Sequence, residues 1–131
     1  MEKNIISKIN MIAEKIGYSG KVTEENFKDI ITSLAVDHPE SFAEELHKVV
    51  ESAAKFWESA NNHGNDDVTY HARLNRSESL YDMVDAFIEP LGMVTDRGVG
   101  LYPTYQVTID GQEYTEYTPL NAMRRYNGFY K

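Results

Sequence analysis

The chain has 131 residues and a mass of 15.0 kDa, enough for one ordinary domain and too little for two. At 41% hydrophobic and 26% charged it has the balance of a folded protein, and the lack of cysteine excludes a disulfide scaffold, thiolate metal sites and a cysteine nucleophile. A formal charge of −8 repels phosphate backbones and anionic lipid, which disfavours direct nucleic-acid binding and suits solubility or a basic partner.

In chain order, a helix is predicted over residues 4–16. Ile5, Ile9, Ile12 and Ile16 recur at helical spacing and form one stripe, widened by Ile6 and Ala13. Gly17 is placed to end it, and residues 18–21 turn. Thr23 can cap a second helix, with Glu24 and Glu25 in a first turn where the helix dipole favours acids. Its buried face is Phe27, Ile30, Ile31 and Leu34. Pro39, at a first helical position, opens a third and longest helix to about Ala60, with Phe42, Leu46, Val49, Val50, Ala53, Trp57 and Ala60 inward.

Residues 61–67 form a polar loop and the seam of the chain. After it the period falls to two: Val68, Tyr70, Ala72 and Leu74 alternate with Thr69, His71 and Arg73, which predicts a strand. Asn75 or Ser77 then caps a fourth helix through Leu91, bent or ended by Pro90. Residues 94–100 carry two glycines and read as a loop. Asp110-Gly111 predicts a two-residue type I′ hairpin that sets Val107 opposite Tyr114, Thr108 opposite Glu113 and Ile109 opposite Gln112. Thr118-Pro119 opens a short last helix that ends near Asn127-Gly128.

The fold class is therefore α+β. A three-helix N-terminal layer is followed by strand, amphipathic helix, β-hairpin and short C-terminal helix, with a small antiparallel sheet packed on helices. One domain over residues 1–131 is expected, with helical 1–62 and α+β 67–131 as the alternative partition. The start, Met1-Glu2-Lys3-Asn4, lacks the pattern of a secretory leader, and no window reaches the roughly 20 apolar residues of a membrane span. The expected location is cytoplasmic, without membrane association.

Four carboxylates, Glu78, Asp82, Asp85 and Glu89, follow helical spacing and form one line on the fourth helix, which contains no lysine or arginine after Arg76. Like charges so placed disfavour a helix by a few tenths of a kcal/mol per pair, so the line suits docking to a basic protein or simple solvation. The C-terminal half holds all five arginines, and six of the nine tyrosines follow residue 100. Tyrosine and arginine recur at interface hot spots. That makes a second candidate partner surface, with Tyr105, Tyr117, Arg124 and Arg125 as its contact residues, for another protein or a second copy of the chain.

No catalytic, metal or cofactor motif is present. His38, His47, His63 and His71 lack metal-ligand spacing, and the oxygen-rich Asn61, Asn62, His63, Asn65, Asp66 and Asp67 lack the calcium-loop pattern. Gly98-Val99-Gly100 lacks the context of a nucleotide loop. The expectation is a small acidic, non-enzymatic protein-binding or regulatory module, a composition common among phage or mobile-element accessory proteins and inhibitors. One alternative is an acidic decoy that occupies the nucleic-acid site of a basic partner. The other is an enzyme on an anionic substrate, using His71 and Arg73 from one strand face with Asp66 and Asp67 upstream.

Overall fold

The computed structural model describes residues 3–62, 67–98 and 102–128. Among these residues five α-helices pack with a three-stranded antiparallel sheet. Helix α1 spans Lys3–Ile16. It stops where Gly17 takes φ 119°: the Gly17 N–H donates to the Glu14 carbonyl at 3.1 Å and the Tyr18 N–H to the Ala13 carbonyl at 2.8 Å, closing the last turn.

Thr23 caps as expected, but one turn ahead of the helix. Its N–H donates to Asn26 Oδ1 at 2.7 Å and its Oγ1 accepts the Asn26 N–H at 3.3 Å, a capping box in which asparagine stands for the usual glutamate or glutamine. Helix α2 covers Phe27–Asp37, so Glu24 and Glu25 precede it; Phe27, Ile30, Ile31 and Leu34 are buried. Helix α3 follows at once as Pro39–Asn62.

Helix α4 runs unbroken over Asp67–Ile88. Residues 68–74 are its first two turns, where the alternation predicts a strand. Tyr70, Leu74, Ser77, Tyr81, Val84 and Ile88 recur every three or four residues, so one helical stripe crosses the expected helix start. A serine at its centre and a short period-2 run mask it. A 3₁₀ turn, Glu89–Leu91, contains Pro90 and ends at Gly92 with φ 74°.

The third strand comes from the segment read as a loop. Strand β1 is Met93–Asp96, and it pairs antiparallel with β2, Thr104–Ile109, through Met93 opposite Val107 and Thr95 opposite Tyr105. Strand β3, Gln112–Glu116, completes the sheet in the predicted hairpin register, Val107 opposite Tyr114 and Ile109 opposite Gln112. Asp110 at φ 51° and Gly111 at φ 81° match the type I′ turn. Helix α5, Pro119–Tyr126, begins with Thr118 Oγ1 accepting the Asn121 N–H at 3.1 Å.

One core draws on both halves of the chain, joining Ile9, Ile31, Phe42 and Leu46 to Val84, Phe87, Met93 and Tyr105. Phe42 and Phe87 meet edge to face with centroids 6.1 Å apart. The far ends of α3 and α4 leave this core. No residue of 67–76 is buried, and beyond Ala54 only Ala60 is buried in α3. Polar contacts lace the two helices together: Ser77 Oγ donates to the Ala53 carbonyl at 2.8 Å, and Arg73 Nη1 to Ser59 Oγ at 2.7 Å. Trp57, expected inward, is 38% exposed here. Its phase on α3 matches the inner stripe, but two helices without a third element cannot cover an indole. Among the described residues no helix is long and apolar enough to cross a membrane.

Candidate functional site

The acid line is carried by the outer flank of α4 and the 3₁₀ turn. The tertiary structure answers half of it from outside the helix. Arg97, just past β1, places Nη1 3.2 Å from Glu78 Oε1 and its guanidinium 4.5 Å from the centre of the Tyr81 ring. Thr95 Oγ1 on β1 donates to Asp85 Oδ1 at 3.1 Å. Burial pushes the half-buried Asp85 carboxyl above its ordinary value; the Thr95 hydrogen bond opposes this, while Glu89 and Asp82 add to it. Asp82 and Glu89 stay exposed, and neither carboxylate has a hydrogen bond or ion pair among the described residues.

At its lower end the line meets a cavity of about 700 Å³ between the start of α2 and the end of α4. Glu89 and Pro90 reach it from the 3₁₀ turn, Ala86 from α4, Phe27 and Lys28 from α2, and Glu24 from the capping turn before α2. An apolar lining with the Glu89 carboxylate at one end suits a lysine or arginine side chain, whose stem packs while its head pairs, and Lys28 on the α2 wall directs that head toward Glu89. Nothing in the sequence puts Glu24 beside Glu89, 65 positions on. The turn that caps α2 does so, because it faces the end of α4.

The tyrosine–arginine cluster is divided. Tyr105, expected at a partner surface, is 1% exposed on the inward face of β2, and burial pushes its hydroxyl well above the usual phenol range. It cannot meet a partner without unfolding. Arg125 lies 4.3 Å from the centre of the Tyr114 ring and 3.5 Å from Glu116, so its fork is used within the sheet–α5 corner. Tyr117 is 72% exposed and Arg124 half-buried.

His71 and Arg73 do not share a face, because residues two apart on a helix point nearly opposite ways. His71 is exposed with its ring edge-on to Tyr70, while Arg73 reaches Ser59 on α3. Their proposed anion-stabilising pair therefore has no geometric basis. Among the described residues no three His, Asp or Glu side chains cluster as metal ligands would. His63, Asn65, Asp66, Val99, Gly100, Phe129 and Tyr130 lie outside the described residues. Compared with known proteins, the chain matches no family model, no curated protein and no solved structure.

Proposed function

We propose that the protein is a non-enzymatic binding module that takes a basic segment of another protein along the acid line of α4 and into the cavity at its end. One observation carries this reading. The two exposed acids of the line whose carboxylates have no partner among the described residues, Asp82 and Glu89, lead into a concavity with an apolar lining of Phe27, Ala86 and Pro90. A net charge of −8 adds long-range attraction for such a partner and speeds encounter.

Charge reversal tests it. Asp82→Lys with Glu89→Lys is compared with the wild type and with a control that reverses two other exposed acids, Glu40 and Glu58. In affinity capture from the native host, read by quantitative mass spectrometry, wild type and control should retain at least one basic protein that the double variant loses. Raised salt should release it, since exposed charges are screened over about 10 Å at 0.1 M. Equal retention by the double variant, or a captured set without a basic member, overturns the proposal.

A further inference from the structure

The other flank of α4 has the reverse character. A cleft of about 310 Å³ lies where α1, α3 and α4 meet, and four cations line it: Lys8 and Lys15 from α1, Lys48 from α3 and Arg76 from α4. That is four of the chain's 13 bases at one place in a protein with 21 acids. Among the described residues the only acid lining the cleft is Glu45, which is 3.0 Å from Lys15 and 3.2 Å from Lys48 and so answers those two. Lys8 and Arg76 have no carboxylate partner among the described residues. Arg76 instead holds its guanidinium 5.9 Å from the centre of the Phe56 ring. Phe56, Leu80 and Met83 supply an apolar floor between the cations.

Two unanswered cations beside an apolar floor complement an anion with a hydrocarbon body. The arginine fork matches the two oxygens of a carboxylate, and methionine adapts to irregular chains. The cleft is at the small end of ligand pockets, so a single tail of roughly ten carbons fits it better than a two-chain lipid. We propose that this cleft binds a small amphipathic carboxylate, its head between Lys8 and Arg76 and its tail along Phe56, Leu80 and Met83. Arg76, Leu80 and Met83 lie roughly opposite Glu78, Asp82 and Asp85 around the axis of α4. The site is thus separate from the acid-rimmed cavity, and either reading can fail alone.

The test titrates the full chain with sodium decanoate, decyltrimethylammonium and acetate, read by calorimetry and by amide shifts. Decanoate should bind saturably at one site, with shifts centred on Lys8, Phe56, Leu80 and Met83. Acetate and the cationic surfactant should bind at least about tenfold more weakly, because one loses the apolar contact and the other meets like charge. Arg76→Glu should weaken decanoate by about tenfold or more, the scale of one charge-assisted hydrogen bond, and Arg76→Lys should recover part of it. Lys8→Glu, on a different helix, should act likewise and keeps the test decisive if the Arg76 variant misfolds. Asp82→Lys with Glu89→Lys should leave decanoate binding unchanged. The proposal is overturned if decanoate does not bind, if decyltrimethylammonium binds equally, if both charge reversals are without effect, or if the shifts centre on Phe27 and Pro90.

Discussion

Glu45 keeps only 12% of its side chain exposed, between Lys15 and Lys48. Burial pushes its carboxyl up, but the hydrogen bonds and charges of the two lysines outweigh burial and hold it below the ordinary 4.5. Its folded state therefore binds protons less readily than the unfolded chain, and its contribution to stability is full above 4.5 and lost as pH falls through the lowered value. Asp85 has the opposite sign. Burial raises it from 3.8, so its stabilising share exists at low pH and is lost as pH rises through the raised value, leaving a cost at neutrality. Urea titrations from pH 3 to 7 should separate the two. Glu45→Gln should lose about 1 kcal/mol at pH 7 and less at pH 3. Asp85→Asn, which keeps an acceptor for Thr95, should gain stability at pH 7 and none at pH 3. The Lys48 contact is visible in the sequence as an i,i+3 pair. The Lys15 contact, 30 residues away, is not.

At the scale of elements, legibility followed how local the signal was. The β2–β3 register was readable because two residues, Asp110 and Gly111, fix the turn and the turn fixes the pairing. β1 was not readable: its four residues pair with a strand eight positions further on and carry no turn signal of their own. The start of α4 is masked in the sequence because seven alternating residues, 68–74, fit period two, while the helical stripe becomes visible only over a longer window. Arg76→Pro distinguishes the two phasings. At the first position of a helix capped by Asn75, proline is welcome. Inside α4 it removes the bond to the Ala72 carbonyl and should cost about 3 kcal/mol or more in a denaturant titration, with loss of far-UV helix signal.

At the scale of the whole molecule, the shared core couples the two halves. Phe42 on α3 and Phe87 on α4 touch, and α1, β1 and β2 join the same cluster. One cooperative transition is therefore expected, with Trp57 fluorescence and far-UV circular dichroism coinciding; two separated transitions would instead restore the 1–62 and 67–131 partition. Leu46→Ala, at 2% exposure, should shift both probes together by about 2–5 kcal/mol. The helical stripes of α1, α2 and α3, the stop at Gly17, the start at Pro39, the hairpin and the cap at Thr118 are all legible in the sequence, because each is decided by residues within a few positions of one another. Tertiary packing alone decided that Trp57 lies past the reach of a covering element, that Tyr105 points into the core, and that Arg97 and Thr95 answer Glu78 and Asp85. It also gathered four scattered cations into one cleft and set Glu24 against Glu89. Those outcomes depend on which surfaces meet across tens of residues, and burial and Coulomb energy act through space, without regard to separation along the chain.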